Sequence, residues 1–315
     1  MAASSALGTI MIRICLYLLL SIALPAQAGN FSLVVQGLGG TPDYEEAFSR
    51  DARAIAAAAG LLSRSPARYV FLNGERATRE NILQELGELT KAMSSDDSFS
   101  LTLIGHGSFD GREFKFNLPG KDLDGQALLD ALAGIPAQRQ LVVIASSSSG
   151  AMLERLAAPG RTVVTATKNG RESNAVSFSR HWAGALVSES ADTNKDELLS
   201  SVEAFRFAEK KVEEYYKSQN LLAPEHPRMV ANDSTEFYLA RMGALAGSED
   251  NPRIAAFLEQ RLELAEAFFS LKNRKAQLDE ADYLDSLQDI MLKLARLQKT
   301  IDSELTDGEG ADENS

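Results

Sequence analysis

Two stretches decide the fold: SLTLIGHGS (residues 100–108) and QLVVIASSSSG (residues 140–150). Each begins with an apolar run of strand length and then becomes polar, which is typical of a buried strand that ends at a polar edge. Ligands of open α/β sheets bind beyond the carboxyl ends of the strands. The sequence therefore predicts two parallel strands whose ends carry His106 and Ser147.

On either side of these stretches, β-rich runs alternate with helix-length amphipathic segments as far as about residue 218. We predict five strands, at Phe31 to Val35, Arg68 to Leu72, Ser100 to Ile104, Gln140 to Ala145 and Arg161 to Thr167. Helices are expected at 43–62, 78–93, 124–134, 150–157, 175–188 and 200–217. This alternation predicts an α/β fold with a mostly parallel sheet flanked by helices.

Local signals set several boundaries. Thr78 and Asp124 are expected to cap helices. The turn signal Asp110-Gly111, followed by alternating apolar residues, predicts a hairpin just after the third strand. Beyond residue 250, apolar residues recur at helical spacing in two sets: Ile254, Phe257, Leu258, Leu262, Ala265 and Phe269, then Leu287, Ile290, Leu294, Leu297 and Ile301.

These two sets predict a C-terminal helical hairpin that turns near residues 273–282. Its stripes would pack against each other or the sheet domain, or against a partner helix or a second copy, so self-association through the Leu287 to Ile301 seam is open. The expected division is a leader at 1–28, a sheet domain at 29–245, the hairpin at 246–303 and a disordered acidic tail at 304–315.

The amino terminus resembles a secretory signal. Arg13 leads into the apolar run Ile14 to Leu20, and the small residues Ala26 and Ala28 predict cleavage before Gly29. A membrane anchor is the other reading, but the apolar run is short for a spanning helix. We therefore expect a secreted or periplasmic protein with no membrane attachment after cleavage.

Composition narrows the chemistry and the partners. The formal charge is −12, and removing Arg13 with the leader gives −13, so nucleic acid is not an expected partner. The single cysteine, Cys15, lies within the leader. Residues 29–315 therefore contain no thiol for a disulfide, a metal or a nucleophile.

The pairing of Gly105-His106-Gly107 with Ser146 to Gly150 on successive strands resembles the caspase-like fold, and most closely the legumain-type cysteine peptidases. In that family a His-Gly pair ends one strand, and the nucleophilic cysteine lies in an Ala-Cys-x-Ser-Gly run that ends the next. The resemblance covers about residues 30 to 230 and includes the glycine-rich turn at residues 37–40. It implies that His106 is the base and that Ser147 stands at the nucleophile position.

The sequence departs from the family pattern in having a serine at the nucleophile position, and this raises the question of whether the protein is an active hydrolase or only a binding protein. A cysteine beside an imidazole forms a thiolate at neutral pH, whereas a serine needs a base that a third group orients. Asp110 is one possible orienting group. We expect an inactive peptidase fold that binds a peptide or protein ligand; the alternatives are a hydrolase that uses Ser147 and His106, and an unrelated α/β function.

Two further readings concern the same residues. If the family geometry holds, the amides of Gly107 and Ser147 would form an oxyanion-type hollow. In the purely structural reading, the serines form a strand-to-helix turn in which Ser149 caps the following helix, and His106 is a hydrogen-bonded turn residue. His181 and His226 lack metal-ligand spacing and are expected to be structural.

One segment has the spacing of a calcium loop. Oxygen ligands would come from loop positions one, three, five, seven and twelve: Asp192, Asn194, Asp196, the Leu198 carbonyl and Glu203. Position six, where glycine usually makes the sharp turn, is Glu197. We expect that no cofactor is required and that any calcium would be structural, while a polar turn that caps a helix is the alternative.

Overall fold

The computed structural model describes residues 29–63, 68–231, 237–247 and 251–312. The predicted leader, residues 1–28, lies outside the described residues, and so does the end of the predicted tail, 313–315. In the described part of the chain, no helix is both long and apolar enough to span a membrane.

A six-stranded sheet forms the centre of the fold. Its strands are β1 (Asn30–Gln36), β2 (Tyr69–Leu72), β3 (Ser98–Ile104), β7 (Arg139–Ala145), β8 (Arg161–Thr165) and β10 (Arg228–Ala231). They lie in the order β10-β8-β7-β3-β1-β2. Five strands pair in parallel, and β10 pairs antiparallel with β8. The predicted mostly parallel sheet is confirmed, and each predicted strand overlaps an observed one.

Helices cover both faces of this sheet. They are α1 (Pro42–Ser63), α2 (Arg79–Ala92), α3 (Gly125–Ala133), α4 (Leu153–Leu156), α5 (Phe178–Ala185) and α6 (Ser201–Ser218). Successive strand residues face opposite sides: Val34 and Val143 pack with Phe48 of α1, whereas Leu33 and Val142 pack with Ile82 of α2. This double burial explains the continuous apolar runs of the central strands.

The predicted caps and hairpin are confirmed. Thr78 Oγ1 accepts a hydrogen bond from Asn81 N, and Asp124 Oδ1 accepts one from Ala127 N. The hairpin joins β4 (Gly107–Phe109) to β5 (Phe114–Phe116), which pairs onward with β6 (Leu123–Asp124). The buried Phe114 and Phe116 place it against the carboxyl end of the main sheet.

The sequence did not predict β10 or the small sheet of β9 (Leu198–Ser200) and β11 (Tyr238–Arg241). These strands have three or four residues, and β10 has partly or fully exposed residues throughout. Strands this short have no apolar run of ordinary strand length, even where they are buried as β9 is, so the sequence pattern does not reveal them.

Two helices follow, α7 (Pro252–Asn273) and α8 (Glu280–Asp312), and they contact each other. A small apolar cluster joins them to β9: Leu198, Leu245, Ile254, Leu297 and Ile301 are all buried. Helix α8 continues to Asp312, and the tail predicted at 304–315 stays a prediction. Glu304 lies 3.4 Å from Arg253 of α7 and forms a surface ion pair with it.

Candidate functional site

The ends of β3 and β7 are neighbours. Ile104 pairs with Ala145 at the last position of this parallel ladder, so His106 and Ser147 each lie two residues beyond it. The two segments are also joined directly, because Gly107 N donates a hydrogen bond of 3.3 Å to Ser147 Oγ. The structure thus brings His106 and the serine run together at one edge of the sheet.

A backbone carbonyl orients the His106 ring. His106 Nε2 lies 3.0 Å from the oxygen of Gly39, in the turn after β1. Because a carbonyl oxygen can only accept, Nε2 carries the proton, and Nδ1 has the free lone pair in the neutral ring. The ring also packs edge-on against Tyr44 and Phe48 of α1, with centroid distances of 5.0 and 5.1 Å. The imidazole is therefore held in one tautomer and one orientation.

Asp110 does not orient His106. It is exposed in the β4–β5 turn, where Oδ1 accepts hydrogen bonds from Glu113 N and Arg112 N. These bonds lower the pKa of the Asp110 carboxyl below its ordinary value. Asp110 is a turn residue because its side chain satisfies the donors of its own loop.

The carboxylate that matters for this turn is Glu45. Its Oε2 accepts Gly39 N at 2.8 Å, and its Oε1 accepts Gln36 Nε2 at 2.6 Å. A Cβ atom at Gly39 would lie 2.4 Å from Glu45 N, so only glycine fits there. Glu45 thus holds in place the residue, Gly39, whose carbonyl contacts His106. Sequence reasoning missed Glu45; the available signal was an acidic residue in the first turn of a helix that follows a glycine-rich turn.

The four serines have different roles. All are buried, between 0% and 2% exposed. Ser146 Oγ donates to Ser147 O at 3.2 Å, and Ser149 Oγ lies 3.2 Å from Thr167 Oγ1 and accepts Thr167 N at 3.3 Å. The prediction that Ser149 caps the next helix is wrong, because its hydroxyl bonds instead to Thr167, in the segment that follows β8.

Ser148 combines two unfavourable features. Its backbone is in the left-handed region, with φ of 58°. Within the part of the chain that the structure describes, its buried hydroxyl has no hydrogen-bond partner. Each feature costs about 1 to 3 kcal/mol, and such strain is concentrated at functional sites. A hydrogen bond of 2.8 Å from Ser148 N to Glu172 O stabilises this conformation.

The strand ends approach so closely that only glycine fits between them. A Cβ atom at Gly107 would lie 2.7 Å from Ser147 O, and one at Gly150 would lie 2.2 Å from Asn169 N. Because of this close approach, Gly107 N donates its hydrogen bond to Ser147 Oγ. One of the two amides expected to form the oxyanion hollow is therefore already paired with the Ser147 hydroxyl. Among the described residues, His106 makes no hydrogen bond to Ser147.

A third loop borders the same edge. Glu172 Oε2 accepts Lys168 N at 2.9 Å and His226 N at 3.1 Å, while Oε1 contacts His226 Nδ1. Burial alone would raise the pKa of Glu172, but hydrogen bonds from Lys168 and His226 hold it below its ordinary value. Glu172 therefore fastens the loop after β8 to the segment before β10, and the His226 side chain has the structural role expected of it.

The expected calcium ligands lie in the segment before α6 and, for Glu203, in the first turn of that helix. Asp192 accepts Asp196 N and Glu197 N, and Asp196 Oδ1 accepts Leu198 N. Glu197 has φ of 63°, so it adopts at position six the left-handed turn that glycine usually makes. Asn194 Oδ1 accepts Asp196 N, and Leu198 begins β9.

The carboxylates of this loop already receive protein donors. Glu203 forms a capping box with Ser200 and also accepts Thr193 N and Asn194 N. Asp196 Oδ2 lies 2.6 Å from the guanidinium of Arg261, which comes from α7. In the described ranges, no group of three or more histidine, cysteine, aspartate or glutamate side chains is arranged to hold a metal ion. Calcium binding stays a prediction.

Comparison with known proteins adds little. No family model matches the chain, and no curated protein matches it. Among solved structures it is similar to protein GSU0716 from Geobacter sulfurreducens, with 14% identity and a TM-score of 0.42. The match covers 69% of this chain and 96% of that chain. A likeness this distant carries no argument about function.

Proposed function

We propose that this chain is an exported, legumain-like protein with a caspase-like fold that binds a peptide or protein ligand and lacks cysteine peptidase activity. The support is the meeting of His106 and Ser147 at adjacent strand ends, together with the absence of cysteine from residues 29–315. Export to the periplasm or the medium rests on the signal-like residues 1–28.

The contact between Gly107 N and Ser147 Oγ carries this proposal. A catalytic serine would give its proton to the base, yet here the hydroxyl accepts an amide proton and is not bonded to the imidazole. The same amide can donate instead to a carbonyl of a bound peptide if the Ser147 side chain rotates away. Such a site would bind a peptide without activating a nucleophile.

A peptide library incubated with residues 29–315 tests the proposal, with mass spectrometry to detect both retained and cleaved peptides. We expect retained, intact peptides, and loss of retention in His106→Ala. Lys91→Ala, on the exposed face of α2, is the matched control and should retain them. Cleaved peptides, or equal retention by His106→Ala, would contradict the proposal.

The second candidate is a hydrolase with Ser147 as nucleophile and His106 as base. The observation in its favour is the Gly39 carbonyl, which fixes the proton on Nε2 and leaves Nδ1 as a lone pair, as an orienting group must. A fluorophosphonate probe distinguishes the two. Labelling at Ser147 that disappears in His106→Ala would establish the hydrolase, while an unlabelled protein agrees with binding alone.

Structural calcium is a separate proposal for the Asp192 to Glu203 loop. It is favoured by the left-handed turn at Glu197, which is the backbone conformation that position six of such a loop needs. Calorimetry with calcium should give heat in the parent protein and none in Asp192→Ala. No heat in the parent would end the proposal.

A further inference from the structure

The carboxyl-terminal part of the apolar seam of α8 is used within the chain. From the sequence, self-association through the stripe from Leu287 to Ile301 is one possibility, but Leu297 is only 8% exposed and Ile301 is fully buried. Both pack with Ile254 of α7 and with Leu245. This part of the seam therefore has no surface left for a partner.

Another face of α8 carries large apolar side chains in solvent. Leu284, Met291 and Leu292 are 52%, 51% and 45% exposed, and we call these three residues the outer stripe. At about 100° per residue, the outer stripe lies on average about 140° around the helix from Leu297 and Ile301. The stripe thus faces away from α7, where a helix of a two-helix pair would normally be polar.

The charges beside the outer stripe are self-complementary. Asp285, Leu292 and Lys299 are seven residues apart, so they form a line of acidic, apolar and basic side chains along one face. The acid and the base each lie about 10.5 Å from Leu292 along the axis. An antiparallel second copy centred on Leu292 places Asp285 opposite Lys299 of that copy at both ends, whereas a parallel copy in register places like charges together.

We propose that the outer stripe is the surface through which two copies of this chain associate, as an antiparallel, two-fold symmetric pair of α8 helices centred on Leu292. Two-fold symmetry requires one surface to complement itself, and the acid–apolar–base line does so. A single helix pair is smaller than a standard interface of about 1,600 Å², so the association is weak and concentration-dependent. It is independent of the peptide site.

Sedimentation equilibrium of residues 29–315, from about 5 to about 500 μM, tests the proposal within the range expected of weak interfaces. We expect monomer at the low end and increasing dimer at the high end. Leu292→Asp should leave only monomer, and Leu292→Ala, which favours helix, should weaken the dimer while circular dichroism shows unchanged helix content.

Charge reversal tests the antiparallel register. Asp285→Lys alone and Lys299→Asp alone should each weaken the dimer about tenfold, because each introduces two like-charge contacts. The double variant restores both pairs and should recover the parent dissociation constant. The proposal is overturned if the parent stays monomeric throughout, if Leu292→Asp still dimerises, or if the double variant does not recover.

Discussion

The carboxyl edge of the sheet buries polar side chains, whereas the pair of C-terminal helices exposes apolar ones. At the edge, four serine side chains are buried, and two of them, Ser147 and Ser149, contact distant segments of the chain. On α8, three large apolar side chains are exposed, and the helix contacts mainly its neighbour α7. The difference shows that tertiary contacts hold the edge in place, whereas α8 leaves apolar surface exposed, where we propose that a second copy binds.

The largest effect should follow from Gly150→Ala. The added Cβ would lie 2.2 Å from Asn169 N and 2.5 Å from Thr167 O, which are backbone atoms that cannot rotate away. We expect a loss of at least about 3 kcal/mol in the free energy of unfolding, measured by chemical denaturation.

Gly87→Ala is the matched control, because nothing lies within 4 Å of a Cβ atom there and the residue is in the middle of α2. It should stabilise the protein by about 0.5 to 1 kcal/mol. Equal effects of the two variants would mean that the edge is not closely packed.

Arg261→Met tests how the helices are attached to the rest of the chain. It removes the partner of Asp196, and both side chains are mostly buried, at 10% and 19% exposed. We expect a local loss of about 2 kcal/mol, seen as hydrogen exchange in α7 that is faster by about 30-fold. The exposed pair Arg253–Glu304 is the control, and Arg253→Met should change exchange by less than about threefold.

Acid should weaken the sheet region through His181, and α7 and α8 contain no histidine that would add to this effect. Burial, with smaller contributions from Arg180 and Lys211, lowers the pKa of His181 to about 4. The unfolded chain takes up this proton near pH 6.5, so the stability that His181 provides is complete above that pH and is lost as the pH falls toward 4.

We expect that loss to be about 2 kcal/mol, less than the full shift implies because the ring is partly exposed. The fluorescence of Trp182, the single tryptophan and a buried neighbour of His181, reports unfolding of this region. His181→Leu should remove most of the pH dependence between 6.5 and 4. An unchanged pH dependence in that variant would assign it to other groups.

The smallest effect separates two adjacent serines. Ser149→Ala removes the contacts with Thr167 and should destabilise by about 1 kcal/mol, whereas Ser148→Ala removes a buried hydroxyl without a partner in the described residues and should stabilise by about 1 kcal/mol. Differential scanning calorimetry can resolve the two. If Ser148→Ala is the more harmful substitution, the hydroxyl of Ser148 has a partner after all.

The sequence predicted what depends on local pattern. The apolar runs of β3 and β7 revealed buried parallel strands, and parallel pairing alone predicted that their ends, with His106 and Ser147, would meet. The helices after Thr78 and Asp124 were placed by their caps. These predictions succeed because the apolar period and the capping residue act within a few positions of each other.

What the sequence could not predict depends on contacts between distant residues. A backbone carbonyl orients His106. Every residue has a backbone carbonyl, so no residue type in the sequence marks the one that contacts the ring. The bond from Ser149 to Thr167 follows from the left-handed turn at Ser148, and the approach of Arg261 to Asp196 crosses 65 residues of sequence. Such contacts are set by tertiary packing, which local propensity does not encode.

The most direct test of the proposed site is the thiol pKa of Ser147→Cys, read from thiolate absorbance in a chain that begins at Gly29 and has no other cysteine. Gly107 N and the nearby His106 should favour the thiolate, so we predict a pKa below about 8.5 that rises when His106→Ala is added. A thiol pKa at or above that value, and unaffected by His106→Ala, would contradict a peptidase-like site at these strand ends.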